Sequence, residues 1–195
     1  NKIYCIGDII GYGASPNECL EKINSYDVKY IQGNHEQAIL DPLTSSFYNP
    51  LAKEALNWTK KQLNPKFVSE IQDKKTILNI DNIFIMVHGS LFDTNDYILS
   101  NSEVLENIRF MQKNQTGIKL LFFGHTQQKV IYLYDNIYNK EKSEYDILRD
   151  DIYLINPGSV GQPRDRDRRA SYIIFDTNNY TVKYNLLEYD INKSK

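Results

Sequence analysis

Four apolar runs in this chain of 195 residues stop at the same punctuation, a glycine close to a residue whose side chain can hold a ligand. The run from about 2 to 7 ends in Gly7-Asp8, Val28-Lys29-Tyr30-Ile31 leads to Gly33-Asn34-His35, 83–88 ends in His88-Gly89, and 118–123 ends in Gly124-His125. The chain has three histidines, and all three stand at these junctions. In layered α/β folds ligands collect outside the carboxyl ends of strands, so a chain punctuated this way is expected to bring Asp8, Asn34, His35, His88 and His125 to strand ends.

Helix signals fall between the strand runs. Ser15-Pro16 with Glu18 predicts a helix start capped by Ser15, with proline in the first turn. Short helical stretches are expected at 34–41 and at 51–63, the latter burying Leu51, Ala55, Trp58 and Leu63 on one face. Strands at 76–80 and 83–88 flank Asp81-Asn82, a hairpin turn. A helix at 102–113 aligns Val104, Leu105, Ile108 and Met111, and strands at 129–134, 152–155, 171–175 and 180–187 follow, with 135–150 as a loop or hairpin tip. Alternating α and β first, then mainly β, predicts an α/β fold of two β-sheets packed as a sandwich and flanked by helices.

Composition bounds the rest. With 41% hydrophobic and 25% charged residues the chain is globular, and its length suits one domain over 1–195. Lys plus Arg total 23 against 25 Asp plus Glu, a net charge of −2, so no global field draws in a nucleic acid polymer or a membrane. No apolar run approaches the roughly 18 residues that span a bilayer and none reads as a signal peptide, so a cytoplasmic location is expected. Cys5 and Cys19 have neither disulfide-framework nor metal-site spacing.

A carboxylate, an amide oxygen and imidazoles converging without thiolate suit a divalent Mn, Fe, Zn, Co or Ni ion. A carboxylate such as Asp8 offsets the repulsion between two cations held about 3.5–4 Å apart, and such a pair activates water and clamps a phosphoryl group. Phosphate ester hydrolysis is the natural reaction. Asn34 and His35 also have plain readings, as a helix cap and a helix-start residue.

The segments Gly7-Asp8-Ile9-Ile10-Gly11, Gly33-Asn34-His35-Glu36, Val87-His88-Gly89 and Gly124-His125-Thr126 resemble, in that order, the signature blocks of calcineurin-like metallophosphoesterases. The longer strings from Gly7 to Cys19 and from Asn156 to Asp165 resemble the small bacterial and archaeal phosphodiesterase-type branch. The resemblance implies a four-layer metallophosphoesterase fold and two divalent metal ions in the intact protein. It implies that Asp8 bridges them, that Asn34, His88 and His125 complete the shell of one, and that His35 is catalytic, contacting the phosphate and the leaving oxygen.

Two departures accompany it. The family's first strand and its Asp-x-His block are expected upstream of Asn1, a chain shortened at its N-terminus. The usual Gly-His-x-His reads Gly124-His125-Thr126-Gln127, which leaves Gln127 as a weaker metal or substrate contact. Arg164 heads the run Arg164-Asp165-Arg166-Asp167-Arg168-Arg169, which either meets a phosphate or pairs with itself as a solvated loop. Asn156-Pro157-Gly158-Ser159 either aims backbone amides at the site or makes a structural turn. The expected function is a phosphoesterase acting through a metal-activated hydroxide on a small phosphodiester, phosphomonoester or nucleotide. The alternative is a catalytically weakened or silent member of the fold serving as a protein-binding scaffold.

Overall fold

The computed structural model describes residues 1–41, 43–44, 48–114, 117–134, 136–138 and 142–194, and of residues 136–138 and 194 the backbone alone. The chain forms two compact units, Asn1–Thr76 with Asp190–Lys195, and Ile77–Tyr189.

The first unit is built on a βαβ turn. Strand β1 (Tyr4–Cys5) pairs in parallel with β2 (Lys29–Tyr30) across helix α1 (Pro16–Ser25). Pro16 opens α1 as its fixed φ favours, but the Ser15 side chain makes no cap; the Ser15 carbonyl instead accepts the Cys19 N–H at 3.0 Å. Helices α2 (Asn34–Leu40), α3 (Pro50–Gln62) and α4 (Pro65–Gln72) follow. On α3 the buried stripe is Ala52, Leu56 and Thr59, continued by Leu63, whereas Leu51 and Trp58 are exposed. The helix is therefore turned from the expected face, because Leu56, with Leu63 beyond the helix, joins the core of Leu20, Ile39, Phe67 and Ile71 while the bulkier indole stays at the surface. Helix α4 was not foreseen, although Asn64 accepting the Lys66 N–H, followed by Pro65, is a helix-start signal.

The second unit is a sheet-on-sheet stack with a helix outside it. Strands β3 (Ile77–Ile80), β4 (Phe84–Val87), β5 (Leu120–Phe122), β6 (Lys129–Leu133), β7 (Asn136–Tyr138) and β9 (Tyr153–Pro157) form one sheet in the order β3-β4-β5-β9-β6-β7. Strand β8 (Glu144–Asp146) joins β10 (Ala170–Asp176) and β11 (Thr181–Leu187) in a three-stranded antiparallel sheet. Asp81 and Asn82 both adopt positive φ, and the Ile83 N–H donates to Ile80 O at 2.8 Å, which closes the β3-β4 hairpin as its sequence requires. The expected loop over 135–150 contains β7 and β8; residues 135 and 139–141 of that expectation lie outside the described residues.

Strands β4, β5 and β9 are parallel and buried on both faces, which explains their unbroken apolar runs. Ile85, Val87, Leu121, Phe123 and Leu154 turn toward Val104, Ile108 and Met111 of helix α5 (Asn101–Lys113). Phe84 and Phe122 turn the other way and meet Phe175 of β10, with ring centroids 6.1 and 5.9 Å away. The Tyr184 hydroxyl on β11 locks the two sheets, donating toward Asn156 O at 2.8 Å and Val130 O at 3.1 Å; burial pushes its pKa up. Truncating a residue such as Leu121 or Leu154 to alanine would cost about 2–5 kcal/mol. No helix among the described residues is long and apolar enough to cross a membrane.

Candidate metal centre

In the first unit, Asp8, Asn34 and His35 are held by one buried carboxylate, that of Glu36. It accepts the N–H groups of Asp8 and Ile9 at 2.8 Å, Ile10 at 3.2 Å and Gly33 at 2.7 Å. Glu36 thus gathers the loop after β1 and the start of α2 around a single charge, at a helix N-terminus where negative charge is favoured. The two loops approach so closely that a Cβ on Gly33 would lie 2.2 Å from Asp8 Oδ1. Asp8 itself has φ 54°, a left-handed conformation that costs a non-glycine residue about 1–3 kcal/mol, and its Oδ1 accepts the His35 N–H at 3.1 Å.

The His35 ring is fixed as firmly as its backbone. Nδ1 lies 3.1 Å from Ile10 O, and a carbonyl only accepts, so Nδ1 carries the proton and is committed to the backbone. Tyr12 meets the ring edge-on at 4.5 Å and Tyr48 at 5.9 Å. Asn34 Nδ2 donates to the Tyr48 hydroxyl, which occupies the amide's nitrogen end and makes its oxygen the candidate ligand atom. The Cys5 thiol, beside Gly7 O, is pushed up to about 12 by burial and then by the Glu36 charge, so it is no nucleophile.

In the second unit, parallel pairing of β4 with β5 brings the following residues to one sheet edge. The Gly124 N–H donates to His88 O at 2.8 Å, and the buried rings of His88 and His125 lie 5.1 Å apart at 59°. Tyr97 covers His125 with centroids 4.0 Å apart. His125 and Gln127 both have left-handed backbones, φ 57° and 56°, so a second strained loop carries candidate ligands. Gln127 Oε1 is buried with no hydrogen-bond partner among the described residues. An orphaned buried acceptor two residues from a buried imidazole fits a cation, and two imidazoles with an amide oxygen suit a borderline divalent ion. In the first unit the carboxylate and amide oxygens of Asp8 and Asn34 fit the same class of metal.

Arg164 is exposed, and its N–H donates to Gln127 O at 3.0 Å, tying the arginine-rich segment to the His125 loop by backbone. Fully buried Asn156 braces that same loop, donating from Nδ2 to Gly124 O at 2.8 Å and Thr126 Oγ1 at 2.9 Å. The Asn156-Pro157-Gly158-Ser159 segment makes the expected structural turn, with the Gly158 N–H donating to Asn156 Oδ1 at 2.9 Å and Gly158 at φ +85°, and the Asn156 side chain adds the bracing of the His125 loop to it. Glu36 and Tyr48 were likewise not singled out, although Glu36 stands inside the quoted block that includes Asn34 and His35.

The sheets, the strand-end loops and their ligand-type residues define a metallophosphoesterase-like α/β protein. Residues 1–180 match the model of the calcineurin-like phosphoesterase superfamily domain, and the chain belongs to that superfamily. The chain is 32% identical over 204 residues to the uncharacterized protein MJ0912 of Methanocaldococcus jannaschii, covering 99% of this chain and 78% of that one. The crystal structure of a metallophosphoesterase from Sphaerobacter thermophilus superposes with a TM-score of 0.84 at 30% identity, covering 100% of this chain and 80% of that one. The hypothetical protein PH1004 of Pyrococcus horikoshii shares the fold, with a TM-score of 0.77 at 21% identity over 98% of this chain and 77% of its own.

Proposed function

We propose that this chain is a metal-dependent phosphoesterase acting on a small phosphodiester, phosphomonoester or nucleotide. The observation that carries the reading is the His35 ring, held by the Ile10 carbonyl with Nε2 as its working nitrogen. Asp8, Asn34, His88 and His125 would hold divalent metal, with Gln127 Oε1 as a further oxygen donor. A divalent ion bound there polarises the phosphoryl group and lowers the pKa of water. His35 in its imidazolium form donates from Nε2 to a phosphate oxygen and then gives that proton to the leaving alkoxide, which departs as the alcohol. Tyr12 and Tyr48 limit the ring's freedom, and Nδ1 keeps its proton on Ile10 O throughout.

The second reading, a silent scaffold, rests on Gln127 standing where the family carries an imidazole. The test is hydrolysis of bis(p-nitrophenyl) phosphate and p-nitrophenyl phosphate by the full-length protein with manganese and other divalent ions, beside Asn34→Ala, His35→Ala and His125→Ala. Activity lost in all three supports the enzyme. A folded, inactive wild type with every metal makes the scaffold the better reading.

A further inference from the structure

The run from Arg164 to Arg169 divides its charges by side. Asp165 points inward, its side chain 3% exposed, and Lys129 Nζ lies 2.7 Å from its Oδ2. Asp167 accepts from Arg169 Nη2 at 2.8 Å and Nε at 3.0 Å, and lies 3.6 Å from Lys129 Nζ. Arg164, Arg166 and Arg168 alternate with these acids and are exposed, and none forms an ion pair with a carboxylate among the described residues. A fully self-paired loop would spend both acids on its arginines. Here Asp165 goes to Lys129 and only Asp167 pairs within the run, with Arg169, which leaves the exposed Arg164, Arg166 and Arg168 without a carboxylate partner among the described residues of a chain of net charge −2.

The row also has a fixed place. Arg164 N–H donates to Gln127 O, so the segment starts against the loop that carries His125, and the Asp165 carboxylate accepts the Lys129 N–H at 3.3 Å on the same β6 entry. Guanidinium is the side chain suited to bidentate contact with phosphate oxygens, and three in a row exceed what one phosphate uses. Resting on the phosphoesterase reading above, we infer that Arg164, Arg166 and Arg168 bind a phosphate chain, and that the substrate is a small molecule carrying at least one phosphate beyond the one that is cut. The net charge of −2 goes against a nucleic acid polymer as the ligand.

The test is calorimetric titration of the full-length protein with inorganic tripolyphosphate in metal-free buffer, for the wild type, an Arg164→Gln/Arg166→Gln/Arg168→Gln variant, and a Lys60→Gln/Lys61→Gln control on the exposed face of α3. Loss of roughly tenfold or more in affinity in the arginine variant alone is the expected result. With hydrolysis measured in parallel, KM for a p-nitrophenyl ester of a polyphosphate rises by the same factor in the arginine variant and is unchanged in the Lys60→Gln/Lys61→Gln control. Tripolyphosphate affinity within twofold of wild type overturns the inference, as does tighter binding of a single-stranded oligonucleotide than of tripolyphosphate. If no ester is hydrolysed with any metal, the phosphoesterase reading fails, while arginine-dependent tripolyphosphate binding still supports the loop as a phosphate-chain site.

Discussion

The Glu36 carboxylate accepts the backbone N–H of Asp8 at 2.8 Å, so a helix residue 28 positions away sets the conformation of the loop carrying the candidate bridging acid. The same carboxylate takes Ile9, Ile10 and Gly33, and it is wholly buried. Replacing it by glutamine puts an NH2 group against N–H donors. Glu36→Gln is expected to lose about 3 kcal/mol of stability in urea denaturation, since hydrogen bonds to charged groups contribute about 1.5–3 kcal/mol each and do not add in full. A loss below about 1 kcal/mol would mean that the loop holds its own shape.

Gly11 and His35 are matched by steric fit. A Cβ on Gly11 would lie 2.0 Å from His35 Nδ1, and Gly11 has φ +128°, which side-chain-bearing residues rarely adopt. Gly11→Ala should therefore push the ring off Ile10 O and lower kcat as His35→Ala does, by roughly 10²–10⁴-fold, the range of a general acid. The double variant should fall no further than His35→Ala alone. Additive losses in the cycle would show that Gly11 serves the backbone and not the ring.

What the sequence made legible and what it hid have different physical causes. Strand runs ending at Asp8, His88 and His125 carry a period and a punctuation, and the hairpin at Asp81-Asn82 carries turn chemistry, so these elements were readable. The α3 face was misread because Leu51 and Trp58 look like core residues by type, whereas a turn of about 100° per residue puts them outside when Ala52 and Leu56 face in. Tyr48 and Asn156 act through hydrogen bonds to an amide and a loop 14 and 32 residues away, and Glu36, beside its local bond to Gly33, reaches Asp8 28 residues away; the local bond aside, no spacing encodes these contacts. The in-and-out alternation of the arginine run depends on Lys129, which approaches from another strand.

Asp165 ties the arginine segment to β6, and the pH dependence of that tie has a definite sign. Burial raises its pKa, but the Lys129 ammonium and the N–H groups of Lys129 and Asp167 outweigh burial, and the carboxyl sits below its ordinary value. A group depressed in the folded state stabilises above its unfolded pKa, about 3.9, and loses that contribution as pH falls through the lower folded value. Asp165→Asn is thus expected to cost about 1.5–3 kcal/mol at pH 7, the worth of a hydrogen bond to a charged partner. The gap to wild type in thermal unfolding should be constant from pH 7 to about 5 and narrow below about 4. A gap that widens in acid would contradict the pairing.

Tyr48 and Asn34 form the last pair. Only the oxygen of a carboxamide ligates a hard or borderline cation, so an asparagine ligand works only if its nitrogen is engaged elsewhere, and Asn34 Nδ2 donates to the Tyr48 hydroxyl. Partners of this kind typically contribute 10- to 100-fold in metal affinity. Tyr48→Phe keeps the aromatic contact with His35 but removes the acceptor, and manganese affinity of the full-length protein in calorimetry is expected to fall by roughly tenfold. Asn34→Asp, whose two oxygens make orientation irrelevant, should be insensitive to the same Tyr48→Phe change. Equal losses in both backgrounds would mean that Tyr48 acts through packing on His35, and an unchanged manganese affinity in Tyr48→Phe would remove Asn34 from the metal shell or show that its amide is oriented by other contacts.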